Sequence, residues 1–235
     1  MPRRSAAPGT AEPVPAAGLD LAGVPHRRTG FCLLGPGLAT ETRVLGGDEE
    51  IVAAVRSARP GIVAVDAPLS LPRGRRSLEV PGPPHLRACD RSLLDLGIRF
   101  FPVTLGPMRL LTRRGIDLAG RLRQDGYSVI EAYPGGAQDV LGIPRKGAGP
   151  ERLRTALVRF GFTGAVERRG ITHDELDAVL CAYTGREHLA GRSLVLGDPT
   201  EGLLILPQPN GTAGKRPGER TTGRSRGSSR PPRSG

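Results

Sequence analysis

Gly61-Ile62-Val63-Ala64-Val65-Asp66-Ala67-Pro68 decides the fold. Four consecutive apolar residues, three of them β-branched, have the length and composition of a strand buried on both faces. The run closes on a carboxylate, and Pro68 prevents the strand from continuing as a ladder. Upstream, 49–59 reads as an amphipathic helix, begun at Asp48 and ended by Pro60-Gly61, with Ile51, Val52 and Val55 on its apolar stripe. Before it, 17–21, 31–34 and 40–45 read as three short strands in a meander. The order is β-β-β-α-β, with one acid, Asp20, in the first strand and another, Asp66, at the end of the fourth.

Downstream, 67–126 interrupts this pattern as a proline-dense insertion with helices near 85–96 and 107–124. A second buried strand follows at 127–132 and carries Glu131. A helix at 150–160 begins at Pro150. The last strong helix opens at Thr172 and runs to about 188. Two apolar segments, 193–196 and 202–206, suit a final hairpin. The expected architecture is an α/β mixed sheet flanked by helices, spanning 17–207. Residues 1–16 and 208–235 are expected to be disordered.

Five acids converge on strand ends or on one helix face: Asp20, Asp66, Glu131, Asp174 and Asp177. Thr172 and Glu175 form a capping box, which commits Glu175 to the helix start. Asp174 and Asp177 are then three residues apart and point to one side. Asp177 lies at the border of the apolar face formed by Leu176, Val179, Leu180 and Tyr183. An acid inside an apolar first strand is costly unless paired or metal-bound. Oxygen-only carboxylate sets at the carboxyl ends of strands suit hard cations, Mg²⁺ or Mn²⁺. Each acid also has a local alternative. Asp174 would complement a helix dipole, Asp66 would form a turn before proline, and Glu131 would pair with an arginine. His173, at the helix start, is expected to be exposed.

The net charge is +11. The segment 208–235 holds seven basic residues against Glu219, a net of +6, so over half the excess lies in a Gly/Ser/Pro/Arg tail. Such a tail holds polyanions loosely and with strong salt dependence. Arg87, Arg91, Arg99, Arg113 and Arg114 lie in the 67–126 stretch. Of these, Arg91 and Arg113, together with Lys146, are the candidate nucleic-acid contacts. Cys32, Cys89 and Cys181 are far apart and odd in number, which argues against a disulfide framework and for reduced thiols in a cytoplasmic setting. No apolar run is long enough to span a membrane, and 1–8 carries no secretory signal.

Six segments in order resemble one family: Gly-Leu-Asp-Leu-Ala (18–22), Val-Asp-Ala-Pro-Leu-Ser-Leu-Pro (65–72), Cys-Asp-Arg (89–91), Leu-Gly-Ile-Arg-Phe-Phe-Pro (96–102), Val-Ile-Glu-Ala-Tyr-Pro-Gly (129–135) and Asp-Glu-Leu-Asp-Ala (174–178). That family is the domain of unknown function 429 group, regarded as ribonuclease H-like nucleases. A more distant resemblance to RuvC-type resolvases rests on Asp20, on an acid in the fourth strand and on the paired acids before Ala178. Here that fourth-strand acid is Asp66, where the resolvases have glutamate. The resemblance implies a ribonuclease H-like fold and a nuclease using two Mg²⁺ or Mn²⁺ ions. Asp20 would bridge the ions, Asp66 and Asp177 would complete the shells, and Asp174 and Glu131 would be outer or alternate ligands. Two alternatives remain open: a non-catalytic nucleic-acid-binding module of the same fold, and an actin- or sugar-kinase-like phosphotransferase.

Overall fold

The structure is a computed structural model, and it describes residues 14–209. Nearly all of 1–16 and 208–235 lies outside the described residues, including the basic tail.

The chain opens with the expected meander: β1 (Ala16–Asp20), β2 (Thr29–Leu34) and β3 (Ala39–Leu45), each antiparallel to the next. Helix α1 (Asp48–Ala58) carries the chain to β4 (Ile62–Asp66), which pairs parallel to β1. Two helices, α2 (Ala88–Asp95) and α3 (Gly106–Gln124), precede β5 (Val129–Ala132), which is parallel to β4. Helices α4 (Pro134–Leu141) and α5 (Pro150–Phe160) and the two-residue strand β6 (Thr163–Gly164) lead to α6 (His173–Leu189). The hairpin β7 (Ser193–Asp198) and β8 (Gly202–Pro207) then docks parallel to β5 through β8. The eight strands form one mixed sheet in the order β6-β3-β2-β1-β4-β5-β8-β7. With helices on both faces, it is a ribonuclease H-like α/β fold.

The period-two alternation of the central strands sorts their residues between two cores. Ala17, Leu19, Val63 and Val65 face α1 and α3, where Ile51, Val55, Leu118 and Leu122 complete a closed aliphatic cluster. The alternate residues face α6. There, Cys32 and Leu34 pack with Leu176, Val179 and Tyr183 and with Leu153 and Leu157 of α5. Burying both faces explains why β4 reads as an unbroken apolar run.

Several expectations shift. The residue capping α1 is Gly47, and Asp48 lies in the first turn, where its carboxylate accepts a hydrogen bond from Arg114 Nε at 2.8 Å. Helix α3 packs into the core beside Val63 and Val129, so the later half of 67–126 is the crossover helix between two parallel strands. Helix α4 goes beyond the sequence reading: Tyr133-Pro134-Gly135-Gly136 starts a helix, with Pro134 in its first turn. Helix α6 is buried almost all round, because the sheet covers one side and α5 another. Its boundary residue Asp177 is therefore interior.

Two glycines set how closely α6 approaches the sheet. A methyl group at Gly18 would lie 2.0 Å from the carbonyl oxygen of Ala178 and 2.4 Å from the Ala182 nitrogen. At Gly30, the partner of Asp20 on β2, it would lie 2.0 Å from the carbonyl oxygen of Asp174. Only residues without a side chain admit another backbone that close. Gly18→Ala is expected to cost about 3 kcal/mol or more through overpacking, read as a fall in the urea midpoint. An unchanged midpoint would mean that α6 does not lie against β1 as described.

Candidate functional site

Asp20 and Asp66 are direct register partners on the parallel strands β1 and β4. Neighbouring strands lie about 4.8 Å apart, so the two carboxylates leave the sheet side by side. By alternation they project from the face that carries Gly18 and Ala64, which is the face covered by α6. Both are half-buried. The first turn of α6, which carries Asp174, lies with its backbone against Gly30, the register partner of Asp20.

Asp177 is buried, and its Oδ1 accepts a hydrogen bond from Gln138 Nε2 of α4 at 3.1 Å. Asp174 is half-buried in the turn before. Cys181, one turn beyond Asp177, reports the shared field. Its thiol is pushed well above the ordinary range, first by complete burial and then by the charges of Asp66, Asp20 and Asp177. Three of the four aspartates therefore act on one buried point. Among the described residues, no group of three or more His, Cys, Asp or Glu side chains is gathered in a metal-holding cluster. What the backbone delivers is the adjacent pair Asp20 and Asp66, with Asp177 held close by. His173, expected to be exposed, is half-buried, and its Nδ1 is buried with no hydrogen-bond partner among the described residues.

Glu131 lines the same cleft as Asp66 but is committed to an arginine. It pairs in register with Val65, so it leaves β5 from the face opposite to Asp20 and Asp66. Its two oxygens accept from Arg87 Nη1 and Nη2 at 2.7 and 2.8 Å, and Oε2 also accepts from the backbone N–H of Leu69 at 2.8 Å. Arg87 turns its remaining side toward Asp90. All three residues are 2–4 % exposed. Burial alone would lower the guanidinium pKa, but the two carboxylates outweigh it and hold it well above its ordinary value. This bidentate network ties the start of α2 and the loop after Asp66 to β5. Glu131 thus takes the arginine-paired role, for a geometric reason: one residue of register moves a side chain through the sheet.

The arginines of 67–126 divide in the same way. Arg114 is buried, and its Nη1 donates to the carbonyls of Ala22 at 2.6 Å and Val24 at 3.2 Å, which pins the turn after Asp20. Gly115 lets α3 approach the loop after Asp66, since a methyl group there would lie 2.8 Å from Ala67 Cβ. Of the candidate nucleic-acid contacts, Arg91 is exposed and donates to the Leu86 carbonyl. Arg113 is exposed, ion-paired with Glu79, and lines a separate depression of 180 Å³. Lys146 falls in the short 3₁₀ turn Lys146–Ala148, and its side chain lies outside the described residues.

Sequence reasoning missed Arg87 and Gln138 as site-supporting residues. Arg87 had a local signal, because Asp90 stands where a reciprocal helix cap would place it. Gln138 had none, since α4 itself was not foreseen. A cleft of 240 Å³ opens at the carboxyl ends of β4 and β5, lined by Asp66, by the Arg87–Asp90–Glu131 network and by Phe100, Phe101 and Tyr133.

Residues 18–201 match the family described as "Protein of unknown function (DUF429)". This chain belongs to the DUF429 family. The match runs from the strand bearing Asp20 to the β7–β8 turn, so it takes in all five acids. No curated protein and no solved structure matches this DUF429 protein. Among its described residues, no helix is long and apolar enough to cross a membrane.

Arg87→Met would leave Asp90 and Glu131 buried without their cation, at an expected cost of about 3–5 kcal/mol in urea denaturation. The triple variant Arg87→Met, Asp90→Leu, Glu131→Leu should recover much of that loss. If Arg87→Met alone is neutral, the network does not hold the loop.

Proposed function

We propose that this DUF429 protein is a metal-dependent nuclease, hydrolysing phosphodiester bonds in nucleic acid with the help of two Mg²⁺ or Mn²⁺ ions. The observation that carries the reading is the register pairing of Asp20 with Asp66, with Asp177 buried on the helix above them. Half-buried carboxylates placed side by side offer an oxygen-only donor set, which fits the chemistry of hard divalent cations. Asp20, Asp66 and Asp177 would hold the ions, and Asp174 would contribute from the outer edge. Bound there, such ions supply Lewis acidity toward a phosphodiester and lower the pKa of water.

The remaining work falls to the chain itself. Gln138 fixes the orientation of Asp177. Arg114 holds the turn that follows Asp20, and the Arg87 network holds the loop that follows Asp66. Both acids are thereby kept on rigid supports, as a constellation that must tolerate little displacement requires. The net charge of +11 favours a polyanionic substrate and speeds encounter with it. Reduced, buried cysteines suit work in the cytoplasm.

The test pairs binding with chemistry. Mn²⁺ should raise the melting temperature of the full-length protein, and Asp20→Asn and Asp66→Asn should each abolish that rise while leaving a cooperative unfolding transition. Both variants should lose Mg²⁺-dependent cleavage of mixed single-stranded and structured DNA and RNA by at least 100-fold, in line with the several kcal/mol of transition-state charge stabilisation a metal supplies. Metal-induced stabilisation that survives both substitutions would refute the site. Nucleic-acid binding without any cation uptake would favour a non-catalytic module.

A further inference from the structure

The cleft beside Asp66 has a composition that the hydrolytic reading does not use. Its lining includes Phe100, Phe101 and Tyr133 together with Met108, Leu111 and Asp66. Phe101 is 68 % exposed, an unusual position for a phenylalanine without a partner to cover it. Tyr133 is held rigid: its hydroxyl donates to the Arg99 carbonyl at 2.6 Å and accepts from Arg145 Nη1, and the Arg145 guanidinium stands over the ring. The volume, 240 Å³, falls below the range of about 300–1,000 Å³ usual for drug-sized ligands. It suits one planar ring system rather than a base pair.

We infer that this cleft takes a single unpaired nucleobase, stacked against Phe101 and Tyr133, and so presents the adjoining phosphate to Asp66. The inference rests on the nuclease reading and names its substrate class: strands with unpaired nucleotides, not continuous duplex. Recognition there is by stacking and not by base edge. Arg87, which lines the cleft together with the carboxylates of Asp90 and Glu131, directs Nε, Nη1 and Nη2 at those two acids and at Ser70. It has no donor to spare for reading a base. Aromatic platforms of this kind tolerate any sequence, because every base has a π-face.

The experiment titrates the full-length protein into single-stranded DNA and RNA oligonucleotides carrying one 2-aminopurine, and into the same strands annealed to complements, with Ca²⁺ in place of Mg²⁺. The single strands should bind with quenched 2-aminopurine fluorescence, and the duplexes should show no quenching. Phe101→Ala should weaken single-strand binding roughly 5- to 150-fold, the range expected for loss of one base–aromatic stack. Phe101→Trp should restore it, and both variants should melt with the parent protein because the side chain is exposed. Equal affinity and quenching in Phe101→Ala would overturn the inference. Cleavage of these strands in Mg²⁺ without quenching would overturn the base pocket and leave the nuclease reading standing. Quenching that depends on Phe101 without Mg²⁺-dependent cleavage would sustain the pocket and overturn the nuclease reading. Failure to bind any strand would overturn both.

Discussion

The close seating of α6 on β1 and β2 is the constraint from which the rest follows. It exists because Gly18 and Gly30 have no side chains, and any β-carbon at either position would collide with helix backbone. The seating does two things at once. It buries the helix almost completely, so that Leu176, Val179 and Tyr183 close the second core. It also sets the first turns of the helix over the ends of β1 and β4, where Asp20 and Asp66 stand side by side. A helix held further off would bury less apolar surface and would leave Asp177 remote from the pair. Packing and chemistry are served by the same missing atoms.

The opposite face of the sheet solves a different electrostatic problem. There, two buried carboxylates, Asp90 and Glu131, are both paired to one buried guanidinium. Isolated charges in such a place would cost several kcal/mol each, of order, and only close pairing with well-aligned hydrogen bonds makes the arrangement tolerable. The result is a rigid crosslink between β5, the loop after β4 and the start of α2. Arg114 performs the matching task at the turn after β1. Side chains that look alike in sequence are thus divided by burial. Arg87 and Arg114 hold loops in place, whereas Arg91 and Arg113 stay at the surface. Asp20 and Asp66 stand at the carboxyl ends of parallel strands, where open α/β sheets bind their ligands.

Much of this was legible in the residues alone. The apolar run of Ile62–Asp66 could only be a strand buried on both sides, and the meander, the helix after it and the final hairpin followed from periodicity. The cap formed by Thr172 and Glu175 set the start of α6 correctly, with Thr172 Oγ1 accepting from the Glu175 N–H. Asp20, Asp66 and Asp177 stood out because acids next to apolar runs need a reason. These are local signals, carried by neighbours in the chain. What the sequence could not decide was which face each acid occupies. Asp66 ends β4 and Glu131 stands one residue before the end of β5, yet they leave the sheet on opposite sides, because the parallel register pairs Glu131 with Val65. Register is a long-range property, set by how whole strands bury their side chains, and a shift of one residue inverts it. The same holds for Arg87, Gln138 and the aromatic cleft, whose partners lie far away in sequence. Composition and spacing determined that this DUF429 protein is an α/β sheet with acids at its strand ends. Only the tertiary packing decided from which face of the sheet each acid departs and which one is locked to an arginine.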